Sequence, residues 1–549
     1  MSFRFVRPPS AAPGLDSYRA HDRAPSTAGA SGAQARAGQA EEAGWQVEAS
    51  PLVFPNASLE TGLIVGHVTS TTARIWVRCS ERAPCELLVR EVSGTHGARS
   101  ISVVPDADHD GIAIIDVSDL RPGTRYALDL CSRAGASLLP EDLRPTFRTV
   151  LPPDRWERSR FGLFSCHLPY RAARDGRAVL SPSVGMLEYF RNVLEAIDAD
   201  FVLAIGDQVY ADEIPALDLW ARAPRLPDAT RDEMCHRLFR QLYRGCWGFL
   251  PLQQVFARFP TYMIWDDHEI ADNWGSWPLA DGAERRVQQA VSGAARRAYD
   301  EYQHAHNPPT DPGVYHFAFD HGPVAFFVLD LRGQRDVSRR QMLGERQWRD
   351  LEQWLRATSD RPARFLVSSV PLVHVADRLV HAITRLPVSR HGPLSKLSAF
   401  FDRWSARAFR SEHARLMELL LDQPEAASAV TILSGDIHMA AALEFVQDER
   451  VASRVQQWTT SGLTVYTPPL DQWLTVLLWK AINVGGCWPV RTHFYALPNN
   501  FGLVEVTRAG DGRCKLEFQV HTWERDRGRH AFSVVLSPQR RSALLVPSR

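Results

Sequence analysis

Lysine is almost missing from this chain. Only Lys396, Lys480 and Lys515 occur, so arginine carries nearly all of the positive charge, and genome composition accounts for such a bias as well as function does. Net charge is missing too. Lys+Arg and Asp+Glu both number 63, which leaves no global field to gather nucleic acid or an anionic membrane surface. The eight cysteines, Cys79, Cys85, Cys131, Cys166, Cys235, Cys246, Cys487 and Cys514, form no CxxC pair. That excludes a zinc ribbon or a small disulfide framework and predicts reduced, mostly buried thiols. No apolar run is long enough for a membrane helix. The longest, from Leu470 to Val484, is broken by Asp471, Gln472 and Lys480, and is too short and too polar to cross a bilayer. Residues 1–50 are rich in Ala, Gly, Ser and Pro and hold almost no apolar cluster. They read as a disordered leader without the apolar segment of a secretory signal, and the expected location is cytoplasmic.

What is present is ordinary in bulk and specific in pattern. A length of 549 residues, 45% apolar and 23% charged, predicts a soluble protein of two or three domains. From 62 to 149, short stretches of period-two alternation follow one another, among them Ala73-Arg-Ile-Trp-Val-Arg-Cys79 and Ile112-Ala-Ile-Ile-Asp-Val117, with turn residues between. This spacing predicts a small β-sandwich over 55–150. The stretch Leu120-Arg-Pro-Gly-Thr-Arg-Tyr126 resembles the turn into a late strand of fibronectin type III domains. Leu151-Pro-Pro153 reads as the linker. Beyond it, over 155–549, predicted strands at 161–166, 201–205, 262–265, 324–329, 365–370 and 430–433 alternate with helical patterns such as Leu187, Phe190, Val193, Leu194 and Ile197. That alternation predicts an α/β domain with a largely parallel sheet.

The ends of those strands carry the chemistry. The first stops at Ser165-Cys166-His167, and the second at Gly206-Asp207 with Tyr210 close behind. The third runs into Asp266-Asp267-His268-Glu269, the fourth into Asp330-Leu-Arg332, and the last into Gly435-Asp436-Ile-His438. Ligands of open α/β sheets sit beyond the carboxyl ends of the strands. Each motif alone fits a helix cap or a packed side chain; together they point to one site. Carboxylates, imidazole, a phenol and a thiol suit a pair of hard or borderline cations better than structural zinc. Asp207 is the natural bridging carboxylate, His268 a candidate to contact phosphoryl oxygen or protonate a leaving alkoxide, and Arg332 a fork matched to phosphate.

In the order Gly206-Asp207, Asp267-His268-Glu269, Gly435-Asp-Ile-His438, the chain resembles the calcineurin-like metallophosphoesterases. Asp267 stands where asparagine is usual and Asp436 where a first histidine is usual, as in PhoD-like alkaline phosphatases. Ser165-Cys166, Tyr210, Leu329-Asp330-x-Arg332, Asp402-Arg-Trp404 and Asn499-Asn-Phe-Gly-Leu503 extend that resemblance. The resemblance implies a four-layer α/β/β/α sandwich preceded by the fibronectin/Ig-like domain. It implies a ferric site on Cys166, Asp207, Tyr210 and His438, and a calcium site on Asp207, Asp267 and Asp436; Zn2+, Mn2+ or Mg2+ are the alternatives. His268 and Arg332 would then face phosphate, and hydroxide held between two metals would attack phosphorus in line. The expected substrates are small-molecule phosphomonoesters or diesters, with lipid phosphodiesters the alternative; a non-enzymatic metal-binding descendant is the contrasting class. The twin-arginine signal common in that family is missing, 374–400 reads as an insertion near the site, and 473–479 is apolar enough for a lid or for core.

Overall fold

The structure is a computed structural model and describes residues 50–81, 83–94, 97–386, 395–424, 427–446, 455–467, 477, 487–497, 499–509, 514–524, 528–536 and 544–546. The predicted leader, the middle of the 374–400 insertion and nearly all of the 470–484 stretch lie outside the described residues.

The alternation read at 62–149 becomes two small antiparallel sheets. One holds Thr61–Val68, Ala73–Cys79 and Ile112–Val117; the other holds Arg99–Val103, Cys85–Glu91, Arg125–Ser132 and Thr146–Arg148. Because successive side chains in a strand point to opposite faces, each strand feeds two cores. Leu63, Val65, Ile75 and Val77 pack with Leu87, Val89, Leu128 and Leu130 between the small sheets. Ile64, Trp76 and Ile112 point outward and join the core of the following α/β part. There the Trp76 ring lies 5.8 Å from Tyr302, and its Nε1 donates to the Glu301 carbonyl at 2.8 Å. The approach is so close at Gly66 that a Cβ would sit 2.1 Å from the carbonyl oxygen of His306.

A charge cluster fastens the same junction. Asp110 accepts from Arg78 Nε at 2.9 Å, from Arg244 Nη1 at 2.7 Å and from the Tyr302 hydroxyl. Burial alone would raise this carboxyl, but Arg78, Tyr302 and Arg244 hold it down to about 2. A depressed carboxylate contributes stability above its unfolded pKa, roughly 3.9, and loses it as pH falls through the folded value. Asp110→Asn leaves two guanidiniums without their counter-charge, and should therefore destabilise the protein by about 3–5 kcal/mol at neutral pH. Paired melting curves of wild type and variant should converge as the pH is lowered from about 4 toward about 2. Curves that differ equally at both ends of that range would show that Asp110 acts by packing alone.

Strand alternation by itself suggests one doubly wound sheet over the rest of the chain, and the structure corrects this to two seven-stranded sheets. The first runs Thr261–Ile264, Phe201–Ile205, Arg158–Phe164, then the antiparallel strands Asn499–Arg508, Cys514–Glu524, Gly528–Leu536 and Leu544–Val546. The second runs Phe317–His321, Val324–Val328, Ala363–Ser368, Val430–Ser434, Val455–Thr459, Ala440–Phe445 and Val490–Ala496. The burial pattern explains the doubling. Phe326, Phe365 and Leu433 turn toward the first sheet, where Phe161 lies 5.4 Å from Phe326 and 5.5 Å from Phe365. Their neighbours Phe327, Leu366 and Ile432 face the other way, onto Trp348, Leu351 and Leu355 of helix Glu345–Ala357 and Leu416 and Leu420 of helix Arg410–Leu421. Helix Gly185–Ala196, read from its three- and four-residue spacing, sets Phe190 against Phe164 at 5.3 Å on the first sheet. Strands buried on both faces are the result, and Phe201–Ile205 and Val324–Val328 are apolar throughout.

Candidate metal centre

Within each sheet the site-bearing strands are parallel, so their carboxyl ends share an edge, and the two edges meet. At Gly435 a Cβ would lie 2.6 Å from Ser165 Oγ and 2.8 Å from the Ile205 carbonyl; at Gly206 it would lie 2.6 Å from Asp266 Cβ. The residues leaving these strands turn sharply. Cys166, Asp207, Asp436 and His438 have φ of 57°, 57°, 67° and 49°, a left-handed conformation that costs about 1–3 kcal/mol for a residue with a Cβ. Such strain persists only where surrounding contacts enforce it. Here Cys166 N–H and His167 N–H donate to the carbonyls of Gly206 and Asp207 at 3.3 and 2.8 Å. Glu269 completes the frame by accepting from the backbone N–H groups of Asp207, Gln208 and Asp266 at 3.0, 2.7 and 2.9 Å.

Asp207 lies at the centre. Its Oδ2 accepts from Cys166 Sγ at 3.2 Å and from the Tyr210 hydroxyl at 3.1 Å, and its Oδ1 from His268 N–H at 3.4 Å. Ligand atoms of Asp207, Asp267 and His268 lie within 4.8 Å of one another, and so do those of Asp266, Asp267 and Asp436. Asp267 is thus common to both groups. Cys166 and His438 fall outside them but are tied to the same loops: Ser461 Oγ lies 3.1 Å from Cys166 Sγ and accepts His438 N–H at 3.0 Å. Asn500 fixes that serine loop, accepting from Ser461 N–H at 3.0 Å and donating to its carbonyl at 2.6 Å.

The electrostatics call for a cation. Burial, with the neighbouring Cys166, Asp267 and Asp266 groups, holds the Asp207 carboxyl well above the usual carboxylate range. Asp266 is raised in the same way by burial and by Asp267 and Asp436. Burial pushes the Cys166 thiol up to about 11 and raises the Tyr210 phenol. Two buried oxygens, Asp266 Oδ2 and Asp267 Oδ1, make no hydrogen bond. Carboxyl, thiol and phenol donors crowded away from water, with Asp266 Oδ2 unpartnered and Asp267 Oδ1 no nearer than 3.6 Å to Arg332 Nη2, fit metal ions that would displace the thiol and phenol protons on binding.

His268 stands over this group. Its ring stacks on Tyr210 with centroids 4.2 Å apart, and Nδ1 lies 2.9 Å from Asp212 Oδ1. Burial opposes its charging, yet Asp212, Asp267 and Asp207 together raise its pKa well above that of free imidazole. Arg332 departs from expectation. Instead of facing an open site, its side chain is wholly buried: Nε donates to Asp266 Oδ1 at 2.5 Å, and Nη1 and Nη2 donate to Asp402 at 2.7 and 2.9 Å. Nη1 also reaches the Trp274 carbonyl at 3.1 Å. With every nitrogen occupied, Arg332 orders carboxylates. Sequence reasoning missed Asp212 and Ser461, and read Asp402-Arg-Trp404 only as a motif. Asp212, five positions after Asp207, was the one with a local signal. Arg403 Nη1 in fact pairs with Asp436 Oδ2.

Carboxylates, imidazole, thiol and phenol thus gather at the joined edges of two facing sheets, a donor set suited to metal ions, and comparison with known proteins gives the class, a phosphoric ester hydrolase. A sequence model of the PhoD-like phosphatases matches residues 161–472, and the chain belongs to that family. Among solved structures, "Structure of PhoD" superposes with a TM-score of 0.63 at 14% identity, covering 91% of this chain and 94% of that one. The purple acid phosphatase PPD1 from yellow lupin (Lupinus luteus) seeds follows with a TM-score of 0.51 at 13% identity, over 88% and 75%. At such identities these likenesses concern the fold. No curated protein matches the sequence.

Proposed function

We propose that this chain hydrolyses phosphomonoesters, phosphodiesters or both, using two metal ions in a four-layer α/β/β/α domain that follows a fibronectin/Ig-like sandwich. The single observation that carries the reading is the convergence on Asp207 Oδ2 of the Cys166 thiol and the Tyr210 hydroxyl, beside the Asp266, Asp267 and Asp436 carboxylates. Cys166, Asp207, Tyr210 and His438 would hold one ion and Asp207, Asp267 and Asp436 the other, with Asp266 as a further carboxylate. When bound, such ions polarise a phosphoryl group and acidify water. The chain supplies the rest. Asp212 fixes the His268 ring through Nδ1, which leaves Nε2 to donate a proton to the departing alkoxide oxygen. Arg332 holds Asp266 and Asp402 in place.

Thiolate and phenolate are electron-rich anions that favour a trivalent ion, so iron is the expected occupant of the first position and calcium of the second. The test combines metal analysis with turnover of an aryl monoester, an aryl diester and a phospholipid. Coloured protein is expected, with a visible charge-transfer band that shifts in Tyr210→Phe and is lost or displaced in Cys166→Ser. A colourless, active protein containing zinc or manganese would overturn the ferric assignment. Metal-reconstituted protein that cleaves none of the three esters would overturn the hydrolase reading.

A further inference from the structure

With Arg332 occupied, an arginine fork for phosphate, in addition to His268, has to come from elsewhere, and Arg403 lies on the carboxylate cluster. Arg403 lies in a segment pinned on both sides. Upstream, Phe401 packs its ring 4.6 Å from Trp277, and Asn273 Nδ2 lies 3.4 Å from Ser398 Oγ. Asp402 accepts from both ends of the Arg332 fork, and from Ser276 Oγ at 2.9 Å. Arg335 Nη2 adds a contact of 3.0 Å to the same carboxylate. Downstream, Trp404 is fully buried. The backbone of Arg403 is therefore fixed by its neighbours, and its own side chain is not needed to hold the segment.

That side chain is placed differently from those of Arg332 and Arg335. Theirs have no exposure, whereas Arg403 keeps 15% of its side chain open to solvent. Among the described residues its guanidinium makes a single hydrogen bond, from Nη1 to Asp436 Oδ2. Asp436 belongs to the cluster with Asp266 and Asp267. The rest of the fork, Nε and Nη2, makes no hydrogen bond to any of the described residues. A planar guanidinium with free N–H groups beside a metal-binding cluster matches the oxygens of a phosphoryl group.

We infer that Arg403 is the phosphoryl-binding arginine of this chain and that it works by exchange. It neutralises Asp436 while no cation is bound there, and it turns its fork to phosphate oxygens once a cation has taken that carboxylate. The inference rests on the hydrolase reading above, and it makes phosphate binding depend on prior cation binding.

The full chain tests this with inorganic phosphate as the probe. In metal-loaded protein, calorimetry should show phosphate binding weakened roughly ten- to a hundredfold in Arg403→Ala, the range for losing hydrogen bonds to a charged group. Arg403→Lys, which keeps the charge but not the fork, should fall between. Guanidinium ion added to Arg403→Ala should restore part of the lost affinity. In metal-depleted protein, calcium should bind Arg403→Ala as tightly as wild type or tighter, because the competing cation on Asp436 is gone. Unchanged phosphate affinity in Arg403→Ala overturns the proposal. So does weaker calcium binding, which would make Arg403 a support of the metal cluster. Wild-type protein that hydrolyses esters while both variants bind phosphate normally leaves the hydrolase reading standing and removes only Arg403. Wild-type protein that neither hydrolyses esters nor binds phosphate removes both.

Discussion

Asp207→Asn is expected to lose metal and activity together, with hydrolysis falling on the order of a thousandfold or more. The substitution keeps the shape of the side chain and removes its charge. It also places an amide where Oδ2 now receives both Cys166 Sγ and the Tyr210 hydroxyl, at 3.2 and 3.1 Å. If the amide nitrogen takes that position, two donors face a third and all lose their acceptor. If the amide oxygen takes it, the position is neutral and a weak ligand for a hard or trivalent ion. Several kcal/mol of charge stabilisation by bound metal are then forfeited, and each 1.36 kcal/mol is about tenfold in rate. Metal content by mass spectrometry and aryl phosphate turnover, measured on one preparation with native circular dichroism, check this. A variant that retains its full metal complement would contradict the central role of Asp207.

The second large effect is on stability. Arg332→Ala removes the guanidinium that pairs with buried Asp266, and one of the two that hold buried Asp402, which keeps only Arg335. Burial by itself raises the Asp402 carboxyl, and it is chiefly the Arg332 and Arg335 guanidiniums that hold it well below the carboxylate range. Breaking a buried pair by deleting one member typically costs about 3–5 kcal/mol, because the remaining charge stays buried and uncompensated. Arg332→Lys should recover only part of the loss, since a point charge cannot bridge the two oxygens of Asp402 while reaching Asp266. Denaturant unfolding of the metal-free variants isolates this effect from catalysis. Equal stability of Arg332→Ala and wild type, with only turnover reduced, would return Arg332 to the phosphate.

Much of the scaffold was legible because it rests on short-range pattern. Strands such as Phe201–Ile205 and Val430–Ser434 announce themselves as apolar runs ending in glycine and aspartate. The sandwich strands announce themselves by alternation. The edge strand Phe317–His321 was not read: its exposed Ala318 and Asp320 leave a weak apolar signal. The doubling of the sheet was invisible to alternation alone, because a fully apolar strand carries no mark of which neighbour covers which face. At the site, residue types at strand ends were legible and their partners were not. Arg332 has the residue type that binds phosphate, but its position is decided by Asp402, far along the chain. Ser461 and Arg403 matter through contacts that no local spacing encodes.

The place of strand Asn499–Arg508 in the first sheet bears on how the protein is made. It lies between Arg158–Phe164 and Cys514–Glu524, so an early strand of the α/β part gains its antiparallel neighbour only after some 340 further residues have been synthesised, Gly502 being matched with Leu163. Asn500 on that late strand also secures the loop of Ser461 that touches Cys166. During translation the early strand is therefore expected to stay unpaired on that side, with the Ser461 loop unsecured, until residue 500 and its neighbours emerge. The thiol at Cys166 is enclosed among the last groups, and contacts of such long range make assembly of the centre a slow, late event.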